Sequence, residues 1–444
     1  MTALSPQEEK IQLLEKSLEK TRQSQDANRL IDGLIELAQA YFDVGDAPKG
    51  LTQIEEALLL AQAQKNELVE ARLWGYKGIA LTRLGNSHFA QIALHKSHNM
   101  AKALDNKPLI ADALTQLGLL QLDSEQPEKA IPRFEQALQI AISERDVLRE
   151  IYLAGQLGNL FFGLESFDKA LEYYTEAWQA ARRQHNQQAE CVQAINMGNV
   201  MLAMQDIENA VERFEEALNL ATELSEPGAE IMALSQLLRA HAAAGSLSKA
   251  RLYGDHVIRL AREQQNDSAE INNINLLAAF LLNQQRYQMA LPYLERGLEI
   301  ARQQLDWGWQ LGMLSNIGYV HYQLEQMAPA LAAYEEALPL ARQLQDRRAE
   351  AHLLGRISAI QADTGATETA IANAIEALAI AQEEEDWPLV GEQQIMLALA
   401  LQDSGRDAEA IDYARQAVTT YQQIEDANLV GKAKAVLAAL TSPT

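Results

Sequence analysis

The chain has 444 residues, 48% of them apolar, and a formal net charge of -24 at pH 7. That charge would repel nucleic-acid phosphates and an anionic membrane surface, so neither is expected as a general partner. The lone cysteine, Cys191, excludes an internal disulfide and any multi-thiolate metal site.

Glycine and proline are few and no stretch alternates with period two, so the chain is predicted to be all-α. The start, MTALSPQEEK, lacks a basic-then-apolar leader, and the most apolar segment, INLLAAFLLN, is too short to span a bilayer. A soluble, unexported protein with a cytoplasmic location is the expectation. Residues 1–26 read as an N-terminal capping helix, with Ile11, Leu14 and Leu18 on one stripe.

Residues 27–426 then divide into ten units of 40 residues. A phrase such as DKALEYYTEAWQAA or ENAVERFEEALNLA returns in register, its first alanine falling at Ala90, Ala130, Ala170 and every fortieth residue to Ala410, with Gly50 in the same place upstream. Each unit reads as two helices. Before the first helix stands an N-cap residue, Asp26, Asn66, Asn106, Asp146, Asn186, Asn266, Asp306, Asp346, Asp386 or Asp426; only Glu226 departs. Between the helices Gly45, Gly85, Gly245, Gly365 and Gly405 mark a corner, mostly followed by a capping type such as Asp46, Asn86 or Ser246.

Small residues hold one position of the first helix, among them Ala38, Gly78, Gly118, Gly158, Gly198 and Gly318, and large ones such as Phe134, Tyr174, Phe214, Leu294 and Tyr334 sit on the second, sized to fill the space beside them. Pro339 conflicts with its helical context and predicts a kink or an early end there. Residues 427–444 match another first helix and read as a C-terminal cap and tail.

No phosphate-cradling glycine loop, paired-histidine zinc motif or nucleophile elbow is present, so no enzyme activity, cofactor or metal is expected. His88, His95 and His98 share one helix without a nearby cysteine or placed carboxylate, and read as solvated surface residues. Cys191 reads as a small buried apolar residue. The paired glutamates Glu55–Glu56, Glu215–Glu216 and Glu335–Glu336 recur too regularly to be a site and mark the outer face of the second helices.

Leu117–Gly118 and Leu157–Gly158, an aromatic at Phe161, then Ala170, Tyr174 and Ala177 occur in the order found in tetratricopeptide repeats, which the chain resembles over about 27–440. The 40-residue unit is similar to the long-repeat branch that includes kinesin light chains, Leu-Gly-Asn repeat scaffolds and bacterial regulators. HEAT and armadillo arrays share the scale but lack this small-residue code.

The resemblance implies a right-handed superhelical solenoid whose first helices line a concave groove, and a scaffold that binds a peptide or helix of another protein. The alternative it implies is a regulatory sensor that changes pitch on binding a peptide or small ligand. Groove candidates are the amides Gln116, Gln156, Asn159, Asn196, Asn199, Gln236 and Asn316, together with Phe162, Arg239, Tyr319 and Tyr322. Amides donate and accept at once, which suits an extended peptide backbone. They equally suit bonding to neighbouring helices or water. The aromatic group near Trp307 and Trp309 reads either as a partner-binding cluster or as core filling.

Overall fold

The computed structural model describes residues 6–24 and 26–442. The first five residues of the expected N-terminal cap, Gln25 and the last two residues of the expected tail lie outside the described residues. Among those described there are 22 α-helices and no strand.

The chain packs as two compact units, Met1–Ala233 and Leu234–Thr444. The first holds α1 (Pro6–Ser24), α2 (Ala27–Asp43), α3 (Ala47–Ala63), α4 (Glu67–Arg83), α5 (Ser87–Ala103) and α6 (Lys107–Asp123). It continues with α7 (Pro127–Glu144), α8 (Val147–Gly163), α9 (Phe167–Arg183), α10 (Gln187–Ala203) and α11 (Ile207–Glu223). The division falls within α12 (Pro227–Ala243), the helix preceded by Glu226. The second unit holds α13 (Leu247–Glu263), α14 (Asp267–Asn283), α15 (Tyr287–Gln303), α16 (Trp307–Gln323) and α17 (Met327–Leu344). It ends with α18 (Arg347–Asp363), α19 (Thr367–Glu383), α20 (Trp387–Asp403), α21 (Asp407–Gln423) and α22 (Ala427–Thr441). From α2 to α21 the helices follow one another as ten helix–turn–helix pairs, even-numbered helices being first in each pair.

Every predicted aspartate or asparagine before a first helix accepts a backbone N–H of the first turn, as Asp146 does from Arg149 and Asn186 from Ala189. Asp46 does the same for Lys49, whereas Asn86 and Ser246 stand at the N-cap without a side-chain bond. The glycine corners adopt positive φ, from 67° at Gly245 to 84° at Gly365. So does every twentieth residue from Lys65 to Glu425 that is not glycine, including Glu125, Arg145 and Leu305. At each corner two backbone bonds close the turn, as Glu125 N–H to Leu122 O and Gln126 N–H to Gln121 O. Those bonds offset the cost of about 1 kcal/mol that a side chain brings to the left-handed region.

The small-to-large fit of each pair is physical. A Cβ on Gly158 would lie 2.5 Å from the Tyr174 ring, and one on Gly198 2.4 Å from Phe214. Phe134 and Phe214 are wholly buried, as are the leading alanines from Ala90 to Ala410. Cys191 is buried with its thiol on the Ala217 carbonyl, and burial pushes that thiol up.

Pro339 does not end its helix: α17 runs through it to Leu344. Both Pro339 and Glu335, whose carbonyl loses its bond, are exposed, so the interruption falls on the solvent side of the helix. The outer glutamates lie on the solvent side as expected, Glu55, Glu215, Glu335 and Glu336 being exposed, and several of that face also tie neighbouring repeats together. Glu56 meets Arg22 at 2.7 Å, Glu376 meets Arg342 at 2.8 Å, and Glu336 pairs with Arg302. A second set of carboxylates is buried near the starts of first helices. Glu150 pairs with Arg183, Glu270 with Arg262 and Arg296 at 2.9 Å, and Glu350 with Arg342 and Arg347 at 2.7 and 2.5 Å.

Candidate functional site

First helices of the first unit lie side by side, α4 against α6 and α8 against α10. Between α8 and α10 is a cleft of about 380 Å³ lined by Leu148, Tyr152, Gln156 and Asn159 on one side and Val192, Gln193 and Asn196 on the other. Three of the predicted amides therefore come together here. A smaller cleft of about 260 Å³ between α4 and α6 takes Gln116, beside Arg72, Tyr76 and Asp112.

The local chain explains how the amides are held. Asn159 follows Gly158, so the Tyr174 ring reaches across and its hydroxyl donates to Asn159 Oδ1 at 2.7 Å. Burial pushes the Tyr174 phenol up to about 12, which keeps it a donor. One amide face of Asn159, including its N–H₂, is left for the cleft. Asn196 Nδ2 donates to Gln193 Oε1 at 3.3 Å, and Gln193 is itself buried against the bare backbone of Gly155. Asn159 and Asn196 are thus half-committed: each is oriented by the protein and retains bonding capacity.

Other candidates are placed differently. Phe162 packs on Phe167 with ring centres 5.8 Å apart and joins the core. Asn199, Gln236 and Asn316 are half-buried, and Gln236 Oε1 is a covered oxygen without a partner among the described residues. Arg239 is exposed. Tyr319 stands edge-on to Tyr287 at 6.0 Å, Tyr322 is half-buried, and Trp307 at the start of α16 is 43% exposed.

The apolar rim of the cleft was not among the expected groove residues. Leu148, Tyr152 and Val192 are 65%, 44% and 41% exposed. Tyr152 and Val192 occupy one column, six residues before the small position, which in this unit reads Asp32, Arg72, Asp112, Tyr152, Val192 and Met232. All six are exposed, and the run of three apolar side chains after three charged ones was the available signal.

The histidines also differ from expectation. His88 is exposed, but His95 and His98 are half-buried in a cleft facing α7. Their solvated reading took no account of the neighbouring repeat. Among the described residues no helix is long and apolar enough to cross a membrane.

A tetratricopeptide repeat family model matches residues 69–143, 188–263 and 267–343, together more than half of the chain, and a second such model matches 393–427. A model for anaphase-promoting complex subunit 5 matches 6–74 and 351–401. A search of curated proteins finds no sequence match. Among solved structures, a signal-transduction ATPase with numerous domains and a tetratricopeptide repeat sensor, from Pyrococcus horikoshii, aligns with TM-score 0.55 at 14% identity. The alignment covers 82% of this chain and 55% of that one, so this chain spans about half of its length. BtubC from P. vanneervenii aligns at 21% identity and TM-score 0.40, over 59% of this chain and 93% of its own. Aspartyl phosphate phosphatase F from Bacillus subtilis aligns at 12% and TM-score 0.37, over 88% and 94%. The matched models, the 40-residue helical pairs and the glycine–aromatic fit within them place the chain in the tetratricopeptide repeat family.

Proposed function

We propose that the chain is a protein-interaction module that holds an extended segment of another polypeptide against the first helices α8 and α10. The observation that carries this reading is the pairing, in one cleft, of pre-oriented amides at Asn159 and Asn196 with the exposed apolar side chains of Leu148, Tyr152 and Val192. Amides bond a peptide backbone without demanding a sequence, and the apolar rim supplies the area that a peptide side chain would cover. The wall is already ordered, so little conformational entropy is lost on the protein side when a segment docks.

Peptides selected from a displayed library against the immobilised full chain test this. Tyr152→Asp with Val192→Asp should weaken selected peptides by about tenfold or more, since each charge would enter an apolar contact. Because both positions are exposed, the melting curve should be nearly unchanged. Peptides that bind the variant as well as the wild type would remove the cleft from the mechanism.

A second reading is a sensor that changes dimensions on binding; likeness of fold to the Pyrococcus repeat sensor prompts it. Small-angle scattering with and without a selected peptide separates the two. An unchanged radius of gyration favours the scaffold.

A further inference from the structure

On the second-helix side of the first unit, α5 and α7 enclose a cationic recess. Two adjoining clefts, of about 480 and 630 Å³, share Gln121, Lys129 and Arg133. The larger also takes His95 and His98, and the smaller His88. Arg133 is half-buried and makes no ion pair with the described residues, in a chain whose net charge is -24 and whose arginines repeatedly find carboxylates elsewhere. His98 Nε2 and Gln121 Oε1 are covered and bond nothing among the described residues. A planar guanidinium and two imidazoles without a carboxylate partner, beside an ammonium that donates to Gln126 Oε1 at 2.8 Å and one exposed carboxylate, Glu128, in the lining, leave donor capacity unused.

We propose that this recess binds the phosphate group of a phosphorylated ligand. A tetrahedral, multivalent oxyanion presents acceptors in several directions to the guanidinium, the ammonium and both imidazoles, whereas those of a carboxylate lie in one plane. The volume exceeds what the anion alone needs, leaving room for the group that carries it. The site is separate from the α8–α10 cleft and does not depend on the reading of that cleft.

The surroundings set the pH dependence. On α5 Lys102 lies close by, while Lys96 is drawn to Glu70 and the Trp74 ring. On α7 stand Arg133, Lys129 and one exposed carboxylate, Glu128; α6 contributes Leu114 and Gln121, which do not titrate. Burial first, then a neighbouring cation, Arg133 for His95 and Lys102 ahead of Arg133 for His98, holds both below the ordinary imidazole range. A bound anion favours the charged imidazolium, so affinity should rise as pH falls through the histidine range.

Isothermal titration of the full chain with sulfate, whose charge is constant over this range, tests the site at fixed ionic strength held with sodium chloride. One saturable site is expected, several-fold tighter at about pH 6 than at about pH 8. Arg133→Gln should weaken it by about tenfold, and His98→Gln should reduce the pH dependence. Neither variant should lower the melting temperature appreciably without anion, because neither side chain has a hydrogen-bond or ion-pair partner among the described residues to lose. Inorganic phosphate should bind the same site competitively. O-phosphoserine and a short phosphoserine peptide then distinguish the source: equal affinity points to a small phosphorylated molecule, tighter peptide binding to a modified polypeptide. Absence of saturable sulfate binding, or an Arg133→Gln chain that binds as well as the wild type, would overturn the assignment.

Discussion

Helices α8 and α10 of the first unit and α18 and α20 of the second are the same structure two hundred residues apart, yet they treat their walls differently. Both have a glycine facing a buried glutamine, Gly155 with Gln193 and Gly355 with Gln393. Both begin with a buried glutamate, Glu150 and Glu350. In the first unit the wall positions hold Tyr152, Gln156 and Val192 and border an open cleft. In the second they hold His352, Arg356 and Glu392, with Arg356 on Glu392 at 2.9 Å and His352 at 3.7 Å. A wall whose charges pair with each other has little left for a ligand; a wall of amides and apolar groups keeps its capacity. The repeat fixes where a side chain stands, and its chemistry decides whether the position is structural or available.

The largest effect should come from exchanging the packing pair behind these walls. Gly158 and Tyr174 in the first unit correspond to Ser358 and Ala374 in the second, where the Ser358 hydroxyl donates to the Ala370 carbonyl at 2.7 Å. Tyr174→Ala should cost about 3–5 kcal/mol, because it leaves a cavity where a buried ring stood. Gly158→Ser alone should cost about 1–3 kcal/mol by overpacking against the ring. The double variant rebuilds the second unit's arrangement, so chemical denaturation should show a loss well below the sum. Additive losses would mean that the two solutions are not interchangeable.

Next in size is the buried carboxylate that both regions share. Glu350 lies between Arg342 and Arg347; burial pushes its carboxyl up, but the two guanidiniums outweigh this and hold it below the ordinary range. With the folded value depressed, its stabilisation is fully present above the unfolded pKa of about 4.3 and is lost as pH falls through the lower folded value. Glu350→Gln should therefore cost about 1–2 kcal/mol at neutral pH, because Arg342 and Arg347 lose a buried acceptor but keep Glu376 and Glu383. The difference between variant and wild type should shrink as the solution is acidified below that range. A gap that stays constant on acidification would show that the charge is not what matters at this position.

The contrast also explains what the sequence could and could not say. Gly118, Phe134, Gly158 and Tyr174 were legible because packing partners must recur with the period. The N-cap residues were legible because a helix start needs an acceptor whatever surrounds it. The corners at Glu125 and Leu305 were not, since two backbone bonds hold the left-handed residue and no glycine is required. His95 and His98 were misplaced because their burial comes from α7, a neighbour that helical periodicity within α5 does not report. The cleft amides were half legible: Gln156 and Asn196 shared a column, but the apolar rim at Tyr152 and Val192 breaks its column's pattern instead of repeating it.

The smallest effect should be found where the second unit's wall looks most strongly bonded. Arg356 and Glu392 are 36% and 28% exposed at their side chains, so water and salt screen their attraction. Arg356→Gln should lower stability by no more than about 0.5–1 kcal/mol, and the difference should fade in high salt. Transplanting the same pair as Gln156→Arg with Val192→Glu should likewise leave the first unit's stability nearly unchanged while closing its cleft to selected peptides. A transplant that binds those peptides normally would break the comparison, because the difference between the two walls would then lie outside the residues that line them.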